Sequence, residues 1–190
     1  MEDIEPMALV QTLKRCMRIK EVERVGWKER AGIRTPESVA DHTFGTTMVG
    51  LILSDLLHLN ALTLVKMMLL HDLCEAITGD IQPGEMDDLE KKRLETSALE
   101  DLFVNIPEPF KSDYLSSFSM FNEATSPEAM LARDLDKIEM VLQALIYEEK
   151  GTDPALLDEF WVTANSKIRT PFGKSLFRSI SELRRSRPSS

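Results

Sequence analysis

The chain has 190 residues, with 23 Lys and Arg against 32 Asp and Glu for a net charge of −9, and a pI near 4.9. Its 43% hydrophobic and 29% charged fractions exclude wholesale disorder, and the length suits one domain with a sizeable core. The acidic balance speaks against general nucleic-acid binding, which relies on basic surfaces to displace counterions. A small phosphorylated substrate stays open, because a bound metal can reverse the field locally.

Taken in order, the pattern is helical almost throughout. Met7, Val10, Leu13, Cys16 and Met17 recur at spacings of three and four, one face of an amphipathic helix. Gly26, Gly32 and Pro36 predict an irregular segment. Glu37 or Ser38 then opens a helix through the apolar stretch Phe44–Leu59, which Asn60 interrupts. A third helix is expected over Leu62–Ile77, stopping at Thr78-Gly79-Asp80. Met86–Phe103 follows, punctuated by Pro107 and Pro109, then a shorter helix over Phe110–Met120. Ser126-Pro127 supplies a cap and a first-turn proline for a long helix that Gly151 ends. Pro154–Asn165 and Pro171–Arg185 complete the set, and the tail from Arg184 is expected to fray. With no internal repeat and no useful strand pattern, the expected fold is all-α: one domain over residues 1–185, followed by a disordered tail at 186–190.

The start, Met1 to Pro6, is acidic and lacks the basic and apolar regions of a signal peptide. Met48–Leu59 and Leu62–Leu73, the longest apolar candidates, are broken by polar residues and fall short of the roughly 20 residues that span a bilayer. Cys16 and Cys74 form no disulfide framework and read as reduced thiols in helices. A cytoplasmic protein with no membrane partner is expected.

The anomaly is His71-Asp72 within the most apolar helical stretch, Met67 to Cys74. An ionised carboxylate buried without a partner costs several kcal/mol, so Asp72 needs a cation or a proton. A divalent metal meets that need and takes the neutral imidazole of His71 as a second ligand; the plainer reading is a solvated His-Asp pair at a helix turn. His42 opens the preceding helix, 29 residues earlier, a separation that allows a there-and-back path between antiparallel helices. His58, near a helix end, is not expected to be a ligand. A fourth ligand is wanted, and the helix from Pro127 offers Asp134 and Asp136, which periodicity does not separate.

The order His42, His71-Asp72, Asp136 resembles the H…HD…D signature of the HD-domain metal-dependent phosphohydrolases. The resemblance is closer to the 5′-deoxynucleotidase group of HD-domain proteins. It is carried by Arg34 to His42, His71 to Ile81, Leu135 to Ala144 and Trp27, from about Gly26 to Tyr147. It implies a helical HD-domain bundle with one divalent metal, Co²⁺, Mn²⁺ or Mg²⁺, on His42, His71, Asp72 and Asp136. It also implies a deoxyribonucleoside 5′-monophosphate as the small-molecule substrate, and a homodimer.

Such a hydrolysis needs a nucleophile, charge neutralisation on the phosphoryl oxygens and a proton for the leaving oxygen. Glu75 lies four residues after His71 and three after Asp72, so helical spacing makes it a candidate to orient or deprotonate the attacking water. Asp80, after Gly79, could act as general acid, bind the sugar 3′-hydroxyl, or hold a second metal with Glu75. Trp27 could stack on the nucleoside, or be a core aromatic. Arg34 is a candidate phosphate contact. Some relatives carry Arg immediately before the Trp where this chain has Gly26; Lys28, Arg30, Arg133 and Lys137 are nearby cations that could supply that charge. The alternatives are another nucleotide substrate (triphosphate, cyclic or polyphosphate) or a non-catalytic helical module with a structural metal.

Overall fold

The computed structural model describes residues 5–82 and 84–186, and no strand is present among them. Six of the ten α-helices among the described residues start where a polar side chain takes an orphan N–H. Helix α1 (Pro6–Met17) begins at Glu5, whose carboxylate accepts from Met7 N and Ala8 N. Ser38 and Asp41 exchange side-chain and backbone bonds in a capping box that opens α3 (Val39–Leu56). Asn60 caps α4 (Ala61–Leu70), Asp87 caps α6 (Asp88–Leu102), and Ser126 with Pro127 starts α8 (Pro127–Glu149). Between α6 and α8 lies α7 (Phe110–Glu123); α9 (Asp158–Lys167) and α10 (Pro171–Arg185) close the chain.

Helix α8 is the central post. It packs against α3, α4, α7, α9 and α10, and Leu131, Leu135, Ile138, Val141 and Leu145 along it are buried with Leu64, Met67 and Met68 of α4. Side chains in such positions typically cost about 2–5 kcal/mol when cut back to alanine. A second cluster, with Leu70, Cys74, Leu99, Leu102 and Phe118, lies nearer α6 and α7. The two layers pin α3 and α4 against α8, which sets the three chain segments that carry the candidate ligands.

Three departures from the expected elements matter. First, the segment predicted to be irregular contains α2 (Val25–Ala31), which buries Trp27 and Ala31. Its first N–H, on Val25, is taken by Asp80 Oδ2 at 2.7 Å. A seven-residue helix capped from 55 residues away leaves no local signal. Second, the expected Leu62–Ile77 helix is broken: α4 stops at Leu70, residues 71–74 form a tight turn, and α5 covers only Glu75–Thr78. Within the break, Glu75 N bonds Asp72 O at 3.0 Å and Ala76 N bonds Leu73 O at 3.2 Å. This three-residue spacing eclipses side chains three apart, and so aligns Asp72 with Glu75. Third, Arg184 is anchored rather than frayed. It pairs with Glu148 at 2.7 Å and Asp158 at 2.8 Å, and lies 4.7 Å from the Trp161 ring centre. The rest of the expected tail, residues 187–190, lies outside the described residues.

Candidate metal centre

The capping box sets the first turn of α3, and one turn in, His42 points into the protein, fully buried. His71 caps the C-terminus of α4 and Asp72 follows it in the tight turn. Asp136 comes from mid-α8. The four side chains meet: His42 Nε2 lies 3.4 Å from His71 Nε2, 3.7 Å from Asp72 Oδ2 and 3.4 Å from Asp136 Oδ1. His71 Nε2 lies 3.1 Å from Asp72 Oδ2.

Hydrogen bonds behind the rings decide what faces inward. His71 Nδ1 lies 2.7 Å from the Met68 carbonyl, which can only accept, so Nδ1 carries a proton and Nε2 is the nitrogen left to face a ligand. His42 Nδ1 lies 2.5 Å from Glu139 Oε2, with the same consequence. Two imidazole Nε2 atoms and two carboxylates therefore converge on one point. That is a donor set suited to a divalent cation, with its outer hydrogen bonds already in place. His42, His71 and Asp72 are close enough to share one ion.

The electrostatics agree. Burial and Arg24 pull His42 down, but hydrogen bonds with Asp136 and Glu139 more than offset them and raise it to about 9, so without a cation the ring holds a second proton that a metal would replace. Burial opposes ionisation of Asp72, yet His71 and His42 hold its carboxyl well below the usual carboxylate range. Asp136 is likewise held low against burial, chiefly by Lys137, whose Nζ is 2.9 Å away, and by His42. The carboxylates draw positive charge into this point, and a cation would supply it.

Around the centre opens a cavity lined by Arg24, Trp27, Asp72, Glu75, Asp80 and Asp136, with Arg30, Lys91 and Lys137 as further cations. Glu75 is buried, and its Oε2 has no hydrogen-bond partner. Burial, then the charges of Asp72 and Asp80, push its carboxyl well above the usual range. That combination fits a proton acceptor facing a water. Asp80 Oδ2 accepts from Val25 N and from Gln82 Nε2 at 2.9 Å. Trp27 is 1% exposed; its Nε1 donates to Glu37 at 2.9 Å and its ring stacks on Phe160 at 4.1 Å. It is a core aromatic whose edge reaches the cavity.

Arg34 is exposed and does not line the cavity. The guanidinium at the site belongs to Arg24, 3.5 Å from Asp72 Oδ2 and 4.0 Å from Glu37 Oε1. Of the other cations singled out from the sequence, Lys28 pairs with Glu23 at 2.8 Å and Arg133 lies over Phe121, while Arg30 and Lys137 reach the cavity. His58 is exposed, at φ 56° past the end of α3. Asp134 faces the other way and accepts from Arg169 N at 2.7 Å and Thr170 N at 2.8 Å at the start of α10.

Two carboxylates that stand behind the site were not singled out from the sequence. Glu139 sits one turn after Asp136, and that i, i+3 spacing was the available signal. Gly45, one turn after His42, leaves room for it: a Cβ there would stand 2.7 Å from Glu139 Oε1. Glu37 closes the ring by holding Trp27 and taking the Tyr147 hydroxyl against its own N–H, at 2.8 Å. Burial, with the Glu139 charge added, raises Glu37 to about 7. Nothing local in the sequence marked it.

A helical bundle that converges two histidines, a following aspartate and a later aspartate on one point defines the class of HD-type metal centres. The chain belongs to the HD domain family, whose pattern matches residues 16–174. It is 34% identical over 177 residues to the Danio rerio protein named 5′-deoxynucleotidase HDDC2, covering 93% of this chain and 88% of that one. Among solved structures it is similar to the PH0347 protein of Pyrococcus horikoshii, with a TM-score of 0.76 and 31% identity over 92% of this chain and 99% of that one. It is also similar to a conserved hypothetical protein of Pyrococcus furiosus, with a TM-score of 0.77 and 28% identity over 93% and 99%.

Proposed function

We propose that the chain is a metal-dependent phosphomonoesterase that hydrolyses deoxyribonucleoside 5′-monophosphates to deoxynucleoside and phosphate. The observation that carries the reading is the pair of Nε2 atoms 3.4 Å apart, flanked by Asp72 and Asp136, with the unpartnered Glu75 oxygen lining the same cavity. The relatives named 5′-deoxynucleotidase support the substrate class.

His42, His71, Asp72 and Asp136 would hold Co²⁺, Mn²⁺ or Mg²⁺. When bound, the cation neutralises charge on the phosphoryl oxygens and acidifies a water. Glu75 would orient the attacking water and take its proton, which is then available to the departing 5′-oxygen. Arg24, Lys91 and Lys137 place positive charge along the cavity for the phosphate, with Arg24 taking the role expected of Arg34. Asp80 keeps Oδ1 for a sugar hydroxyl, because its Oδ2 is committed to Val25 and Gln82.

We also place the chain in the cytoplasm as a homodimer. Cys16 and Cys74 are free thiols, and no helix among the described residues is long and apolar enough to cross a membrane. Phe44, Met48, Leu51 and Ile52 form an exposed apolar face on α3, which a second copy would cover.

The test is phosphate release from deoxy- and ribonucleoside mono- and triphosphates with each of the three metals and an EDTA control. Metal-dependent release from deoxynucleoside monophosphates, lost in Asp72→Ala, supports the reading. Release only from triphosphates, or none with metal bound, overturns it.

A further inference from the structure

The loop after α5 lines the cavity, tied to its neighbours at two points and braced by one bond within itself. Val25 N–H and Gln82 Nε2 both donate to Asp80 Oδ2, at 2.7 and 2.9 Å, and Lys91 Nζ donates to the Ile81 carbonyl at 2.8 Å. The other end of the Gln82 carboxamide rests on Gly26, where an added Cβ would stand 2.9 Å from Gln82 Oε1. Gln82 is thus wedged between the bare backbone of α2 and the carboxylate of Asp80, and all three residues line the cavity.

We infer that Gln82 is a positioning residue for Asp80 and, through it, sets how strictly the enzyme distinguishes deoxyribose from ribose; this rests on the deoxynucleotidase reading above. Two donors on Oδ2 fix the rotation of the carboxylate, so that Oδ1 is presented in one direction. A fixed acceptor serves one hydroxyl position on a sugar ring. A carboxylate free to rotate can serve either of two adjacent hydroxyls, and discriminates less. The absence of a side chain at position 26 is what admits the wedge. Removing the Gln82 donor does not release the loop, because Val25 N–H and Lys91 still hold it.

The experiment uses the full chain loaded with Mn²⁺ and compares wild type, Gln82→Glu, Gly26→Ala and the double variant. Gln82→Glu keeps the shape but places an acceptor against Asp80. Steady-state constants are measured on deoxy- and ribonucleoside 5′-monophosphates, together with thermal melts. We expect Gln82→Glu to raise KM for deoxynucleotides about tenfold, with kcat within about twofold, as loss of one hydrogen bond to an ionised group implies. The deoxy-to-ribo ratio of kcat/KM should fall and the melting temperature should hold. Gly26→Ala should act in the same direction by displacing Gln82, and add nothing in the double variant. Unchanged KM and ratio in Gln82→Glu overturns the inference, as does a fall in kcat that tracks a lowered melt, which marks a merely structural role. A wild type inactive on every deoxynucleoside monophosphate overturns the parent reading instead, and this inference with it.

Discussion

Glu139 Oε2 meets His42 Nδ1 at 2.5 Å in the interior, between helices α8 and α3. The contact holds a proton on His42 Nδ1 and aims its Nε2 at Asp136 and His71, so a residue outside the His42, His71 and Asp72 group orients a member of that group. Outer hydrogen-bond partners of this kind are typically worth about 10–100-fold in metal affinity. Glu139→Gln should therefore weaken Mn²⁺ binding by about that factor in a calorimetric titration. Gly45→Ala, whose Cβ would crowd Glu139 Oε1, should shift affinity in the same direction. Wild-type affinity in Glu139→Gln would remove the carboxylate from this role.

Glu75 separates binding from turnover. Its Oε2 has no protein partner, and it does not belong to the His42, His71 and Asp72 group that can share an ion. Glu75→Gln keeps the volume and removes the proton acceptor. Phosphate release should fall by at least about 100-fold, within the range ascribed to general-base catalysis. Metal content, read by elemental analysis, should stay at the wild-type level. Near-normal turnover would refute the catalytic assignment.

Arg24 and Arg34 make a sharper contrast than any single variant. Arg24 lines the cavity and Arg34 does not. A charge-assisted hydrogen bond contributes about 1.5–3 kcal/mol, so Arg24→Ala should raise KM by about 10–100-fold. Arg34→Ala should leave both kinetic constants unchanged. The reverse pattern would return the phosphate contact to the loop before α3.

Asp134 and Asp136 provide the same contrast on one helix. Asp134 is buried and accepts three hydrogen bonds from Arg169 and Thr170. Asp134→Ala leaves those donors unpaired and should lower stability by about 1–3 kcal/mol in urea denaturation, with metal affinity unchanged. Asp136→Ala should abolish tight metal binding and leave the metal-free protein's stability much less affected. Equal effects of the two variants on metal binding would show that both carboxylates serve the centre.

The residues themselves decided a good deal. Periodicity and caps determined an all-α chain and most helix starts, because a Ser, Asn or Asp acting on the next turn is a local interaction. The His71-Asp72 pair in an apolar stretch pointed to a cation or a proton, since a carboxylate buried there needs one. The tertiary structure alone decided which aspartate of α8 faces inward, because Asp134 is claimed by the start of α10, more than thirty residues away. It also decided that the arginine at the site is Arg24 rather than Arg34, that α2 exists, and that Glu37 and Glu139 stand behind Trp27 and His42. Each of those depends on a partner distant along the chain, and pairing across such a distance leaves no period or spacing in the sequence.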